Sequence, residues 1–418
     1  MKVICDRGAL LDAVNLVAAV VPSRSPTPAL SCVKLVATKG PGQPGLLTLS
    51  ATDAETSLHI ALSAVDVQKP GQVAVPADKL RAIIAAEDGE ATLTLETDGG
   101  TAELCHIKGQ NAHFRVFGFP AADFPPMPDF AATVAGAAGA EPAKSVFSQQ
   151  AGTLLDLVSK TIFATARETS RYAINGVMLK REGKKLEMVA TDGRRLALCK
   201  SNITGATKDS AGGAVTCIVP TKALNILAKL VRDDEDIVRI AVTDSRIFFA
   251  FEDAVSSAAG KGEKGDKAGG AGGGSPRAVL TSSLVEGTFP PYEDVIPRDQ
   301  DKKITASRDL LGSAVRKAAV LTNEESRGVR MSFSKDNKQL KLSSRAPEMG
   351  ESEISVDLEG YEGEDIEISF NPTFIADVLK VVPDPEVIVE LKAPNKPGLI
   401  KTPGGEFVYV VMPVNLPG

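Results

Sequence analysis

Two aspartates, Asp53 and Asp192, are the carboxylates whose setting in this sequence could support acid–base or metal chemistry. Each follows an Ala-Thr pair and precedes a turn and a strand-like run. An Asp in a tight turn commonly accepts hydrogen bonds from its own backbone two residues further on. We therefore interpret both as turn residues. A metal-dependent nuclease that uses both carboxylates is the alternative.

The other chemistry-bearing residues form no recognisable catalytic set. The histidines His59, His106 and His113 all fall in strand-like segments, so we interpret them as strand-face residues rather than a functional triad. The sequence contains no P-loop, no H-E-x-x-H and no Cys/His cluster. A G-x-G-x-x-G begins at Gly260, but more glycine follows it instead of a helix. We predict no catalytic residue, no metal and no cofactor, and therefore not an enzyme.

Composition predicts an ordinary globular chain from a reducing compartment. Its 418 residues are 43% hydrophobic and 24% charged, enough for two to four domains. Five cysteines without a C-x-x-C indicate buried thiols rather than disulfides or zinc. No apolar run is long enough to span a membrane, and the first residues do not form a signal peptide. The net charge of -6 disfavours a nucleic-acid binder but does not exclude one with a basic lining.

The elements that would position these residues occur in three copies. The run around Asp192-Gly193 is typical of a strand, a tight turn and a second strand, and a variant surrounds Asp53. Apolar residues at helical spacing predict a first helix and a second helix in each copy. The matching landmarks are Leu10, Leu154 and Leu310 in the first helices, and Leu80, Leu224 and Ile375 in the second. The period is that of whole domains, each with two helices and roughly eight strands.

Two stretches interrupt the repetition and set the predicted boundaries. Residues 131–143 are rich in Ala and Gly and indicate a linker, and residues 254–277 are of low complexity and indicate a disordered insert. The predicted domains are 1–130, 144–298 and 299–418.

Five motifs in order closely resemble the bacterial DNA sliding clamps, the beta subunits of DNA polymerase III. They are Arg171–Gly176, Ala190–Ala197, Glu286–Tyr292, Asn323–Arg330 and the tail Tyr409–Leu416. The resemblance implies an α+β fold of three clamp domains, each with two helices packed on antiparallel sheets. It also implies a head-to-tail homodimer that closes into a ring around duplex DNA, in the bacterial cytoplasm and nucleoid. The function implied is that of a non-catalytic processivity factor.

The resemblance also assigns site residues. The implied DNA contacts are Arg24, Lys79, Arg167, Tyr172 and Lys222, and the helices and their flanks carry further cations at Arg81, Lys160, Lys229, Arg316 and Lys317. The implied apolar groove for partner peptides is formed by Ile174, Thr191, Gly193, Arg195, Leu196, Pro290, Val295, Asn371, Phe374, Val411, Met412, Pro413, Val414 and Leu416. The implied dimer contact joins Phe114 and Val116 to Val320 and Leu321 of the other chain.

These assignments have alternatives in which the residues are ordinary surface or core residues without a binding role. The cations could be solvated surface residues, since exposed Lys and Arg are common. The groove residues Ile174, Leu196 and Val411 could be ordinary core. The implied partners are sequence-independent duplex DNA, the catalytic subunit of DNA polymerase III, the clamp loader and other proteins with a clamp-binding motif. A repeat scaffold that binds only proteins is a further alternative.

Overall fold

A computed structural model describes most of the chain and divides it into two compact units. The described residues are 1–22, 24–25, 27–98, 104–166, 172–204, 213–252, 276–322, 328–346 and 349–416. The first unit comprises Met1–Leu154, Ile203–Val215 and Lys222–Leu284, and the second comprises Leu155–Asn202, Thr216–Thr221 and Val285–Gly418. The predicted DNA contact Arg167 and nearly all of the predicted insert, up to residue 275, lie outside the described residues.

Strands outnumber helices in the described residues. The strands are β1 (Lys2–Asp6), β2 (Cys32–Thr38), β3 (Gly45–Thr52), β4 (Thr56–Lys69), β5 (Gly71–Pro76), β6 (Thr92–Thr97), β7 (Leu104–Lys108), β8 (His113–Phe117), β9 (Ser145–Gln150), β10 (Gly176–Glu182), β11 (Lys185–Thr191), β12 (Arg195–Asn202), β13 (Val215–Pro220), β14 (Ile237–Val242), β15 (Arg246–Phe251), β16 (Ala278–Ser283), β17 (Lys302–Ser307), β18 (Val329–Ser334), β19 (Gln339–Ala346), β20 (Gly350–Asp357), β21 (Gly360–Glu362), β22 (Ile366–Phe370), β23 (Glu386–Leu391), β24 (Gly398–Lys401) and β25 (Phe407–Val411). The helices are α1 (Arg7–Ala18), α2 (Ala77–Ala86), α3 (Phe130–Ala135), α4 (Ala151–Ile162), α5 (Thr221–Leu230), α6 (Arg308–Ala318) and α7 (Pro372–Val381). None of these helices is long and apolar enough to cross a membrane.

The first unit is organised on one sheet of twelve strands. Nine of them run in the order β8-β7-β6-β1-β4-β16-β15-β14-β9, while β3 also pairs with β4 and leads through β2 to β5. The helices α1 and α2 contact each other in this unit. Leu10 and Leu80 lie on their buried faces and are fully buried, as an apolar helix face packed on a sheet requires.

The second unit contains two sheets. Nine strands run in the order β13-β10-β11-β12-β25-β24-β23-β17-β21, and four run in the order β20-β19-β18-β22. The helices α6 and α7 contact each other, and α6 also packs on β19 and β20.

The middle copy of the sequence repeat contributes strands to both units. In the first unit its strand β16 pairs antiparallel with β4 of the first copy, from Ala278 opposite Ile60 to Ser282 opposite Thr56. In the second unit its strand β12 pairs antiparallel with β25 of the third copy, from Arg195 opposite Val411 to Cys199 opposite Phe407. Neighbouring copies therefore share continuous sheets.

Helix starts follow the repeat, with one correction. The second-helix landmarks Leu80, Leu224 and Ile375 each lie three residues after the first residue of their helix and are buried. In the first helices the same position holds Leu10 and Leu154, which are buried, but in α6 it holds Leu311. The predicted landmark Leu310 is one residue too early and is 58% exposed. The helix begins after Ser307, whose side chain accepts a hydrogen bond from the Leu310 backbone.

The predicted linker contains a helix. Asp129 caps α3 by accepting a hydrogen bond from Ala132 N at 2.8 Å, and Gly136 ends it in the left-handed conformation with φ of 63°. Phe130 is buried against Val146 and Phe248 of the first unit's sheet. An Ala-rich stretch can form such a helix, because alanine favours helix once a cap and an apolar anchor are present.

All five cysteines are buried and unpaired, as predicted. Burial raises the thiol pKa of Cys32 to about 11 and the thiol pKa values of Cys5, Cys105, Cys199 and Cys217 to about 12. The thiolate is the reactive form, so the folded chain holds its cysteines in an inert state.

We therefore expect a thiol-specific colorimetric reagent to find no reactive cysteine in the native protein at pH 8. The same reagent should find all five after unfolding in denaturant. The time course of absorbance with and without denaturant measures this. Rapid reaction of even one thiol in the native protein would contradict the burial described here.

Candidate functional site

The turn between β11 and β12 is closed by side chains as well as by backbone. Thr191 Oγ1 donates to the Arg195 carbonyl at 2.7 Å and accepts from Gly193 N at 3.1 Å. Asp192 Oδ1 accepts from the backbone N–H groups of Arg194 and Arg195 at 3.0 and 3.1 Å. Gly193 has a φ of 84°, which glycine adopts at little cost. The prediction that Asp192 is a turn residue is confirmed.

The same turn joins β3 to β4 in the first unit. Thr52 Oγ1 donates to the Thr56 carbonyl at 3.0 Å and accepts from Ala54 N at 3.0 Å. Asp53 Oδ1 accepts from the backbone N–H groups of Glu55 and Thr56 at 3.0 and 2.6 Å. Ala54 stands at the glycine position with a φ of 79°. Asp53 is therefore also a turn residue, and the internal repeat extends to individual hydrogen bonds.

The second oxygen of each aspartate is held by a cation of the protein. Asp192 Oδ2 accepts from Arg195 Nε at 2.9 Å, and Asp53 Oδ2 is paired with Lys222 Nζ. Across the described part of the chain, no group of three or more His, Cys, Asp or Glu side chains is placed to hold a metal ion. Both carboxylates thus serve structure.

Two of the three histidines contact each other. His106 Nδ1 lies 2.9 Å from His113 Nε2, and His106 Nε2 lies 3.0 Å from Asp98 Oδ1. His59 lies apart, with its Nδ1 2.8 Å from Ser50 Oγ. The pair joins β7 to β8 across one face of the sheet, so these are strand-face histidines, as predicted.

Arg195 is the centre of the candidate groove in the second unit. Its guanidinium donates from Nη1 to Asp377 Oδ2 at 2.9 Å and from Nη2 to the Phe163 carbonyl at 2.8 Å, in addition to the bond to Asp192. The same group lies over the ring of Phe374, 4.5 Å from its centroid. Only 10% of the Arg195 side chain is exposed. A planar fork with several donors suits this arrangement, whereas a lysine could not make it.

Tyr409 on β25 contacts Phe163 and Phe374, two residues that surround Arg195. Its ring lies 5.7 Å from the ring of Phe163, centroid to centroid, and its hydroxyl donates to the Phe374 carbonyl at 3.0 Å. Burial raises the pKa of this hydroxyl, so it remains a neutral donor. The hairpin, α7 and β25 are therefore fastened to one another around Arg195.

The chain after β25 runs along the same region of the second unit. Met412 N donates to the Arg194 carbonyl at 2.9 Å, and Val414 N donates to the Ser369 carbonyl at 2.8 Å. A Cβ atom at Gly328 would lie 2.9 Å from Val414 Cγ2 and would also collide with the Leu416 side chain. Glycine at 328 thus lets the tail pass close to the protein.

The segment that carries Pro290 and Val295 is anchored by Tyr292. Tyr292 is buried in a cluster that includes Leu196 and Val410, and its hydroxyl donates to Glu187 Oε2 at 3.1 Å. Pro290 is half-buried, while Val295 is 46% exposed.

The predicted groove residues divide into a floor and a rim. Ile174, Leu196 and Val411 are buried, so their interpretation as core is correct for the chain alone, and Thr191 is buried as well. The half-buried members are Arg195, Pro290, Asn371, Phe374, Pro413, Val414 and Leu416, and the exposed members are Gly193, Val295 and Met412. A surface with exposed apolar side chains beside a buried apolar floor has the character of a binding groove.

Sequence reasoning missed Phe163 and Asp377. They lie 32 and 182 residues from Arg195 along the chain, so no local spacing links them to it. The available signal was the place of Arg195 in an otherwise apolar groove, because a guanidinium that is buried there requires carboxylate and carbonyl partners.

The equivalent position in the first unit is polar. There Ser283 N donates to the Glu55 carbonyl at 2.8 Å, matching the bond from Met412 to Arg194. Thr56 and Ser57 stand where the second unit has Arg195 and Leu196. The repeat therefore reproduces the backbone of this site in both units, whereas the arginine and the apolar surface belong to the second.

The predicted DNA contacts have different surroundings. Arg24 and Lys79 are exposed, and Tyr172 is 43% exposed. Lys222 is 43% exposed in its side chain but is engaged by Asp53 and by the Val20 carbonyl at 3.0 Å.

One of the further helix cations is not available to a ligand. Lys160 is buried in an ion pair with Asp156 one turn earlier, at 2.7 Å, which corrects the expectation that it serves among the helix cations facing DNA. By contrast Arg81, Lys229, Arg316 and Lys317 are exposed.

Two of the predicted dimer residues, Phe114 and Val116, lie on β8, whose outer edge is open. β8 ends the strand order of its sheet, and no strand within the described residues pairs with its outer side. Phe114 is half-buried, but Val116 is buried in its own sheet, which makes its side chain a poor choice for a contact. The neighbouring Phe117, which sequence reasoning missed, is 81% exposed. Val320 is 75% exposed and Leu321 is half-buried.

Comparison with protein families agrees with the repeat. Models of the DNA polymerase III beta subunit match in order: the N-terminal domain over residues 1–128, the central domain over 150–259 and the C-terminal domain over 293–415. The predicted fold of three clamp domains, built from helices and antiparallel sheets, is confirmed.

Known proteins that match most or all of the chain support the same family. It is 32% identical over 414 residues to the beta sliding clamp of Pseudomonas putida, covering 98% of this chain and 99% of the relative. It is 30% identical over 373 residues to that of Escherichia coli, covering 89% of each chain. The crystal structure of the DNA polymerase III subunit beta from Pseudomonas aeruginosa matches with a TM-score of 0.82 and 31% identity over 100% of both chains. The chain belongs to the family of DNA polymerase III beta subunits, the beta sliding clamps, which are non-catalytic accessory subunits of that polymerase.

Proposed function

We propose that two copies of this chain close head to tail around duplex DNA and tether the replicative polymerase to it. A heterologous contact that closes on itself yields a ring, and a ring holds DNA without gripping any base. The predicted domain boundaries, at 130, 144 and 298, and a place in the bacterial cytoplasm belong to this proposal. The observation that carries it is the match of three clamp-domain models in order along the chain. The exposed apolar side chains of Val295 and Met412 support a site for partner peptides.

The contact between copies would use the open edge of β8. An unpaired strand edge offers backbone donors and acceptors to another chain. Phe117 beside that edge and Val320 at the end of α6 leave large apolar surfaces exposed, and we propose that each is covered by the partner copy. Phe114 and Leu321 would extend this contact.

DNA would be held by few and interchangeable contacts to phosphate. Each Lys or Arg that neutralises a phosphate adds affinity that falls as salt rises. Arg24, Lys79 and Lys222, together with Tyr172 and Arg167, are the proposed contacts. Too strong a grip would stop sliding, so a small number of weak contacts suits a tether.

The groove would bind a short peptide of a partner protein. Val295 and Met412 offer exposed apolar surface, and methionine adapts to more than one ligand. The proposed partners are the polymerase catalytic subunit, the clamp loader and other proteins with a clamp-binding motif. A related clamp from Pseudomonas aeruginosa, with a TM-score of 0.83, has been solved bound to griselimycin, which supports a ligand site on this fold. Tethering through such a site raises the local polymerase concentration to the order of mM.

The test is release from circular DNA. The protein, loaded by its cognate loader onto a nicked circle, should stay bound during gel filtration and leave when a restriction enzyme cuts the circle. A scaffold that binds only proteins would not be retained on either form. Equal release from closed and cut circles would refute the proposed ring.

Replacing both Arg24 and Lys222 with alanine should weaken retention on the circle and flatten its dependence on salt. Each lost phosphate contact removes about 0.9 from the slope of log affinity against log salt. The half-life on the circle at several salt concentrations measures this. Retention identical to that of the unchanged protein would remove these two residues from the DNA-binding surface.

A further inference from the structure

The two oxygens of Asp53 have separate tasks. Oδ1 accepts the backbone hydrogen bonds from Glu55 and Thr56 that close the turn between β3 and β4. Oδ2 takes no part in the turn and accepts from Lys222 Nζ on the first turn of α5. The Asp53 side chain is only 14% exposed, so bulk water screens this pair less than an ion pair on an open surface.

The Lys222 ammonium uses most of its hydrogen-bond donors within the protein. A lysine ammonium has three hydrogens to donate. One goes to Asp53, and a second goes to the Val20 carbonyl, 3.0 Å away, just beyond the end of α1. At most one remains for a phosphate. The carboxylate next to it also cancels the charge that would attract a polyanion.

Arg24 provides the contrast within the same unit. Its side chain is exposed and pairs with no carboxylate in the part of the chain described by the structure. Arg24 thus presents a full positive charge, whereas the protein itself neutralises the charge of Lys222.

We propose that Asp53 is a charge-masking residue, which limits the hold of Lys222 on the DNA backbone and so keeps the clamp mobile. The inference rests on the proposed function. Without the carboxylate, the flexible Lys222 side chain is free to meet a phosphate as a full positive charge. The contact of Lys222 in each copy then changes from a weak one to a strong one, because affinity for the duplex grows with the charge that neutralises phosphate.

Asp53→Asn separates the two tasks of the carboxyl group. The amide keeps one oxygen for the turn, where Asn is as favourable as Asp, and removes the negative charge. Asp53→Ser, whose hydroxyl can also accept a turn hydrogen bond, is a second variant should the first fold poorly. Glu55→Gln is the matched control. It makes the same change of charge two residues away, on an exposed side chain of the same turn.

The experiment uses the full-length protein loaded on circular duplex DNA. Retention is measured against salt concentration, and one-dimensional diffusion is followed by single-molecule imaging. Asp53→Asn should steepen the salt dependence by up to about 0.9 for each Lys222 whose weak phosphate contact becomes a full one, and should slow diffusion. Glu55→Gln should match the unchanged protein. The double variant Asp53→Asn with Lys222→Gln should match Lys222→Gln alone.

Two failures are distinguishable. If the unchanged protein leaves closed and cut circles equally, the proposed function fails and masking fails with it. If the unchanged protein is retained but Asp53→Asn and Asp53→Ser keep its salt slope and diffusion, masking alone is overturned. An effect of Asp53→Asn that persists in the double variant would also overturn it, because the effect would not pass through Lys222.

Discussion

Replacing Arg195 with alanine is expected to lower the free energy of unfolding by about 3 kcal/mol. Removing one partner of a largely buried ion pair leaves its carboxylates without compensation, and this costs far more than the pair contributes. Here Asp192 and Asp377 would both lose a donor, as would the Phe163 carbonyl. The ring of Phe374 would lose the cation that lies over it.

Denaturant titration followed by circular dichroism measures this change. Arg194→Ala is the matched control, because Arg194 is the adjacent arginine in the same turn but is exposed. That control should stay within about 0.5 kcal/mol of the unchanged protein, as surface substitutions usually do. Arg195→Lys should fall between the two, since lysine keeps the charge but loses the fork. An Arg195→Ala protein as stable as the control would show that the contacts around Arg195 are dispensable.

Deleting residues 412–418 is expected to abolish stimulation of the cognate polymerase while leaving the fold intact. The deletion begins after β25, so the pairing of Val411 with Arg195 survives. It removes the exposed Met412 and the half-buried Val414 and Leu416 from the proposed groove. Losing apolar anchors of this kind commonly costs 2 kcal/mol or more, which corresponds to about 30-fold in affinity.

Primer extension on a long single-stranded template, with loader and polymerase present, measures the stimulation. The half-life of the molecules that are loaded on circular DNA is the internal control and should be unchanged, because the tail belongs to the groove and not to the DNA contacts. The unfolding free energy should fall by only about 2 kcal/mol, for the two lost bonds from Met412 N to Arg194 O and from Val414 N to Ser369 O. Stimulation that survives the deletion would show that partners dock elsewhere.

The sequence predicted the elements that local chemistry determines. Turn residues such as Asp192 and the second-helix landmarks were correct, because caps, turns and apolar spacing act within a few residues. The slip from Leu311 to Leu310 has a simple cause. Two adjacent leucines satisfy the periodicity equally well, and only the position of the helix start distinguishes them.

What the sequence could not predict depends on distant parts of the chain. The Asp156–Lys160 spacing allows a helical ion pair, but the burial of Lys160 requires the surrounding structure. The exposure of Phe117 and the burial of Val116 depend on which strand lies beside β8. The contacts of Arg195 with Phe163 and Asp377 arise only once the turn after α4 and the helix α7 meet the hairpin.

The sheets shared between copies have a consequence for anyone who dissects this chain. A fragment cut at residue 144 would separate β4 from β16, which pair from Ile60 opposite Ala278 to Thr56 opposite Ser282. Each piece would then carry an unpaired, apolar strand edge, which promotes self-association. A tandem of two neighbouring copies also leaves such an edge, because β12 of the middle copy pairs with β25 of the third. The three copies are therefore suited to isolation only as one chain.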